Sequence, residues 1–188
     1  MNIEITCKHE ETELKTLDSW DVTEVLGAPF DVHLHDCVEV RVCLTCGGHV
    51  SHLIPSVGEL ASAVGVYRAI EPRKLSGAEI RFLRKSVDTS ARDMAGMLRI
   101  SAEQFSRYEN DRVVISEASE LLFRMAICVI NSDFVERNHL DVARLLNNKS
   151  VPVTADLERL RFDFSIENPQ QNDSDHEPEI HWKIASSI

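Results

Sequence analysis

Apolar and polar residues alternate in the first third of the chain. Phe30, Val32 and Leu34 form one such run, and Val38, Val40 and Val42 form another. A period of two puts one face of a strand in a core. Gly27, Pro29, Gly47, Gly48 and Pro55 punctuate these runs as turns. Residues 1–58 are therefore expected to be β-rich. A short helix is predicted from Val57 to Tyr67 with Leu60, Ala61 and Val64 on one face, and Glu71-Pro72-Arg73 reads as a linker.

From Ser76 the period changes to that of a helix. Ser76 and Glu79 have the spacing of a capping box, and Ile80, Leu83 and Val87 follow at helical intervals. Ser90 with Asp93 starts a second helix through Met94, Ala95 and Leu98. Ser101 opens a third containing Phe105 and Tyr108, and Ser116 opens a fourth over the apolar stretch Leu121 to Ile130. A fifth helical piece is expected around Leu140 to Leu146. In the tail, Leu160, Phe162, Phe164 and Ile166 alternate, as do Ile180, Trp182 and Ile184, on either side of the acidic stretch Glu167 to Pro178. These read as two strands that need a body or a second subunit to rest on, because an isolated hairpin is marginal in water. The expected fold class is α+β in three parts. A β-rich module occupies 1–70, a helical domain of about five helices 71–150, and C-terminal strands 151–188.

At 188 residues the chain can bury a core without disulfides. No apolar run approaches the length of a membrane span, and the polar start MNIEITCKHEE argues against a signal peptide. A cytoplasmic protein is expected. The net charge of −11 weighs against nucleic-acid binding, but it is unevenly spread. Residues 68–112 hold ten Lys or Arg and seven Asp or Glu, a net of +3, which leaves −14 for the rest. A mildly basic centre between acidic flanks suits a regulator with one DNA-facing module.

Three short capped helices within about 35 residues are what a helix-turn-helix requires. Ala95 gives the close crossing, and Leu98, Phe105 and Tyr108 fill the wedge. The outer face of the third helix then carries Ala102, Glu103, Ser106, Arg107 and Asn110. An arginine there can donate paired hydrogen bonds to guanine O6 and N7. From periodicity alone, the same triplet also fits a helical bundle whose charges are simply solvated. Five cysteines are an odd number, and Cys43-Leu-Thr-Cys46-Gly47-Gly48 has the form of half a zinc knuckle. Cys37, His33, His35, His49 and His52 stand near enough in sequence to complete a site, and His33 and His35 share one strand face as a second cluster with Cys37. Cys128, in an apolar helix, reads as a core residue. No grouping of acid, base and nucleophile has a spacing that suggests catalysis, so an enzyme is not expected.

The segment Leu-Ser-Gly-Ala-Glu-Ile-Arg-Phe-Leu-Arg-Lys (75–85), followed by Phe-Ser-Arg-Tyr-Glu-Asn (105–110), resembles the Cro/repressor-type (XRE) helix-turn-helix. It is most similar to the branch found in MqsA-type zinc-finger antitoxins and their YgiT-like relatives, over about a third of the chain. The resemblance implies that Arg107 reads a base and that Glu103 lies beside it. Asn110 and Arg112 touch the DNA backbone, and Arg84 with Glu109 bridges the first helix to the third. Arg92, at the start of the second helix, is a further phosphate contact. It also implies that Cys7 and His9 complete a Zn2+ site with Cys43 and Cys46, although Cys-x-His replaces the family's Cys-x-x-Cys. Ala91, Arg99 and Asp111 depart from the family's glutamine and glycines and weaken the expected grip on DNA. The implied partners are double-stranded DNA, a second copy in a homodimer, and a cognate toxin, for a repressor that regulates its own operon. No membrane partner is expected. The rival expectation is a protein-interaction module that keeps the fold without binding DNA.

Overall fold

The computed structural model describes residues 7–147, 151, 159–167 and 180–185. Its fold is α+β, with five strands and eight helices among the described residues. Strand β1 (Thr12–Asp21) is followed by a single turn, α1 (Thr23–Leu26), and then by β2 (Asp31–Cys43) and β3 (His49–Leu53). The helices run as α2 (Val57–Ile70), α3 (Gly77–Ser86), α4 (Ala91–Met97), α5 (Ala102–Glu109), α6 (Glu117–Ile130), α7 (Ser132–Arg137) and α8 (Arg144–Asn147). Strands β4 (Arg161–Glu167) and β5 (His181–Ile184) close the sequence. No helix among the described residues is long and apolar enough to cross a membrane.

The two alternating runs of the first third belong to one long strand, β2. Asp36 breaks the alternation midway, because its φ of 53° lies in the left-handed region. The pairing with β1 shifts register at the same level, between Leu17 and Ser19. Val32 and Leu34 on one side of this irregularity and Val38 and Val40 on the other consequently all face the core. Strand β1 runs antiparallel along one edge of β2. The opposite edge is shared by β3, antiparallel to residues 39–42, and β4, parallel to residues 31–34. Strand β5 extends the sheet antiparallel to β4. The C-terminal strands thus join the N-terminal sheet, and the expected need for a supporting body is met within the same chain. The stretch Glu167 to Pro178 lies outside the described residues beyond position 167.

Helix α2 ties the two halves together. Its Leu60, Ala63 and Val64 pack on the sheet with Phe30, Phe164 and Trp182, while Val66 and Ala69 pack into the helical core with Leu83, Phe105, Phe123 and Ile127. It runs three residues past its expected end, to Ile70, and Ala61 is only half-buried. The segment Glu71-Pro72-Arg73, expected as a linker, is held from both sides by buried arginines. Arg68 donates to the carbonyls of Glu71, Arg73 and Lys74, and Arg124 donates to those of Ala69, Glu71 and Arg73. An exposed linker would leave those carbonyls to water; here each has a charged donor.

The helix starts follow the sequence expectation closely. Ser76 and Glu79 form a complete capping box on α3, and Ser90, Ser101 and Ser116 each accept from the backbone N–H three residues on. Ile80, Leu83, Met94, Ala95, Leu98, Phe105 and Tyr108 are all buried. The piece expected over Leu140 to Leu146 is reduced to the short helix α8, and α7 is a further short helix ahead of it that sequence reasoning did not name. At Gly77 the start of α3 lies close against the end of α5. A Cβ there would lie 2.6 Å from the Tyr108 carbonyl oxygen and 2.8 Å from the Asp111 carboxylate. Asp111 Oδ1 accepts the Gly77 N–H at 2.6 Å, so its charge sits on the first turn of α3, where a helix favours an anion. Gly77→Ala is expected to cost about 1–3 kcal/mol, the usual effect of an added methyl group in a filled space. Urea unfolding would measure it, and an unchanged midpoint would refute the crowding.

Candidate metal centre and exposed helix face

The edge of the sheet where β2 ends collects four soft or borderline donors. Cys43 is the last residue of β2, and the chain turns back immediately through Cys46, Gly47 and Gly48. Gly47 has φ of 69°, a left-handed conformation that glycine takes without strain. Hydrogen bonds from Gly47 N–H to the Cys43 carbonyl and from Cys43 N–H to the Gly48 carbonyl close the turn. Cys7 and His9 arrive from the other direction, just ahead of β1, where Leu44 N–H bonds the Glu11 carbonyl.

The ligand atoms of Cys7, His9, Cys43 and Cys46 all lie within 4.8 Å of one another, an arrangement that can hold a metal ion. Cys7 Sγ and Cys43 Sγ are 3.6 Å apart, and Cys46 Sγ and His9 Nδ1 are 3.5 Å apart. A tetrahedral ion with metal–sulfur bonds of about 2.3 Å has sulfur–sulfur edges of about 3.8 Å, so the donors stand close to the spacing such an ion needs. The Cys46 sulfur also accepts the Gly48 N–H at 3.4 Å, the kind of backbone donor that supports a thiolate.

The electrostatics of the cluster are divided between its thiols. The His9 side chain, followed by backbone donors at Cys46 and Thr45, pulls the Cys43 thiol down to about 6. At Cys7, the backbone hydrogen bond at His9 pulls the other way, but the thiol is raised overall by its contact with Cys43, by desolvation and by Cys46. One thiolate is therefore prepared at neutral pH while its neighbour keeps its proton.

The other cysteines and histidines go elsewhere. The irregularity at Asp36 turns Cys37 toward the sheet core, where burial pushes its thiol up to about 11, so it does not cluster with His33 and His35. His35 Nε2 meets Asp163 Oδ1 at 2.7 Å on the opposite face of the sheet. Arg161, and then His35, hold the Asp163 carboxyl below its ordinary range despite partial burial. His49 and His52 lie beside the Trp20 ring, with centroid separations of 6.1 and 5.5 Å. Cys128 is buried in the helical core as expected.

Helix α5 has a sharply divided surface. Phe105, Tyr108 and Glu109 are buried, whereas Ala102, Glu103, Ser106, Arg107 and Asn110 are exposed. Arg84 donates to Glu109 at 2.8 Å, joining α3 to α5 as the sequence suggested. Arg107 pairs with Glu103 at 2.6 Å across one helical turn, with both side chains largely in solvent. Asn110 is anchored more firmly, since its amide donates to the Ser106 carbonyl and its Oδ1 accepts from Arg81. Sequence reasoning missed Arg81, which also donates to the Glu109 carbonyl and fixes the end of α5. Only its position one turn before Arg84 on α3 could have signalled this. Arg92 and Arg112 are exposed, and Arg99 takes φ of 55° in the turn between α4 and α5, where glycine was expected. Of the ten basic residues in 68–112, Arg68, Arg73, Lys74 and Arg84 are paired with Glu79, Glu71, Glu120 and Glu109. The cations left outermost are concentrated on α3 to α5 and the loop that follows. Comparison with known proteins adds no identity: no family model, curated protein or solved structure matches the chain.

Proposed function

We propose that the chain is a sequence-specific DNA-binding regulator in which α3, α4 and α5 form a helix-turn-helix and α5 reads the major groove. The observation that carries this reading is the division of α5. Its apolar face is wholly spent on the core, and the opposite face presents Arg107, ion-paired with Glu103, beside the small residues Ala102 and Ser106. Such a face can approach base edges without steric obstruction. Glu103 holds Arg107 extended along the helix in the free protein, and it can accept from cytosine N4 in the bound one. Arg92, Asn110 and Arg112 are the backbone contacts in this reading. A second copy supplies the second recognition helix, and repression of the chain's own operon, with a toxin as partner, is the version the sequence resemblance favours.

The metal site serves this function as a structural element. Three thiolates and one imidazole on a closed turn are a donor set suited to Zn2+, and four protein ligands leave no open position for substrate. Bound there, the ion would fix the two arms that precede β1 and follow β2.

The test is a titration of DNA from upstream of the chain's own gene against wild type and Arg107→Ala at two salt concentrations. Selective binding that weakens with salt is expected. Arg107→Ala is expected to lose about 1–3 kcal/mol of discrimination at one base pair with the melting temperature unchanged. Unaltered selectivity would remove Arg107 from the reading role. Absence of selective binding would favour a protein-interaction module on the same fold.

A further inference from the structure

A cavity of about 200 Å3 opens where β5 meets the first turn of α2 and the end of α7. At about 30 Å3 per water it has room for about seven waters, well short of a drug-sized ligand. Phe134, Ile180 and Trp182 give it an apolar wall, and Glu59, Arg137, Asn138 and His181 supply its polar groups. Trp182 is 2% exposed, and its Nε1 is buried without a hydrogen-bond partner. Buried side-chain donors almost always have an acceptor, so this N–H points to one that the described fold does not itself supply.

Two opposite charges in the same wall are uncommitted as well. Arg137 donates through Nε to the Asp133 carbonyl at 3.3 Å, and its Nη1 lies 3.0 Å from His181 Nδ1. A guanidinium only donates, so His181 accepts at Nδ1 and carries its ring proton on Nε2. Arg137 meets no carboxylate among the described residues, and its Nη2 has no partner there. Glu59, in the first turn of α2, likewise forms no ion pair among them. The Asn138 amide nitrogen is spent on the Phe134 carbonyl at 3.0 Å, which leaves its Oδ1 as an acceptor.

These groups select a ligand that carries both charges. A simple anion would face Glu59 uncompensated, and a simple amine would face Arg137 in the same way. We propose that the cavity binds a free α-amino acid with a short aliphatic side chain, as its zwitterion. The carboxylate accepts from Arg137 Nη2 and the Trp182 N–H, where charge-assisted bonds are strong. The ammonium donates to Glu59 and Asn138 Oδ1, and the side chain rests on Phe134 and Ile180. The site does not rest on α5 being a recognition helix, so a chain that binds no DNA would retain it, and a chain that binds no amino acid would still be free to bind DNA.

The experiment uses the full chain in isothermal titration calorimetry with three probes: L-valine, isovalerate (valine without its ammonium) and isobutylamine (valine without its carboxylate). L-valine is expected to bind one site per chain, at least tenfold more tightly than either truncated probe. Arg137 and Glu59 are exposed, so Arg137→Gln and Glu59→Gln should leave the melting temperature unchanged. Each is expected to weaken valine at least fivefold. Glu59→Gln should also erase valine's advantage over isovalerate, and Arg137→Gln its advantage over isobutylamine. With nitrogen-labelled tryptophan, the indole N–H resonance of Trp182 should shift on valine addition while that of Trp20 stays in place. No heat with valine up to millimolar concentration, equal affinity for the three probes, indifference to both substitutions, or an unmoved Trp182 resonance would overturn the site.

Discussion

Arg124→Ala is expected to destabilise the fold far more than the loss of any surface ion pair. The Arg124 guanidinium is buried, at 3% exposed, and reaches Glu120 through Nε and Nη2, at 3.1 and 2.7 Å. It also donates to the carbonyls of Ala69, Glu71 and Arg73. Glu120 is wholly buried. Truncating the arginine leaves that carboxylate with the Leu75 N–H and the more distant Lys74 ammonium, at 3.1 and 3.4 Å, strips the Ala69 carbonyl of its charged donor, and leaves the carbonyls of Glu71 and Arg73 to Arg68 alone. Removing one partner of a buried pair typically costs about 3–5 kcal/mol, because the other charge stays desolvated. Set against a typical total stability of about 5–15 kcal/mol, this is a large share. The melting temperature should fall by roughly 10 °C, since about 2–4 °C is lost per kcal/mol in chains of this size. Arg124→Lys should recover only part of the loss, because an ammonium cannot span Glu120 and three carbonyls with one planar fork. A fall of under about 1 kcal/mol in denaturant unfolding would mean that the carbonyls find water and that the segment 71–73 is not fixed by this arginine.

The second large effect is expected at the metal centre. Cys43→Ser should abolish tight metal binding, and chelation of the wild-type protein should lower its stability. A ligand present at a thousandfold excess over its Kd contributes about 4 kcal/mol through mass action. The sheet keeps a core of its own around Phe30, Val32 and Phe164, so the metal-free chain should stay folded, with protection from hydrogen exchange lost first near residues 7–12 and 43–49. Protons compete with the metal for sulfur. Because Cys43 is held down to about 6, affinity should fall steeply as the pH drops below that value. Uptake at neutral pH should release a proton from Cys7, whose thiol is raised. The metal-free fold has the matching dependence. A thiol depressed in the folded state contributes stability that is fully present above its unfolded value and is lost as the pH falls through about 6. Purified protein without metal, and a melting temperature indifferent to both chelator and Cys43→Ser, would make the four donors incidental.

Local rules were enough for much of this molecule. The four serine starts, Ser76, Ser90, Ser101 and Ser116, appear as helix caps because capping chemistry acts over three residues of sequence. The buried set from Ile80 to Tyr108 follows from a helical period, and the strand runs follow from a period of two. The turn from Cys43 to Gly48 was equally visible, because a glycine can take the left-handed conformation that lets two thiols three residues apart converge. The exposed side of α5 followed in turn, since fixing which face is buried fixes the other.

What sequence could not decide is how distant surfaces meet. A single-face helical pattern for α3 names Ile80 and Leu83 but misses Phe82, which is buried because it meets Phe30 edge-on, at 5.3 Å, on the sheet side. Glu71-Pro72-Arg73 has the composition of a linker, and only Arg68 and Arg124, brought from two other helical positions, make it rigid. Residues 161–167 and 181–184 alternate as strands, but their place beside β2 depends on a parallel pairing across more than a hundred residues. Cys7 and His9 became ligand candidates through family resemblance; the pairing of Thr12 with Cys43 brings them to the same edge as Cys46. Sequence alone thus determined helices α2 to α6, the runs of β2, β4 and β5, the serine caps and the separate halves of each site, since these depend on neighbours along the chain. The tertiary structure decided which halves meet, because the free energy of those contacts belongs to surfaces that exist only once the chain has folded.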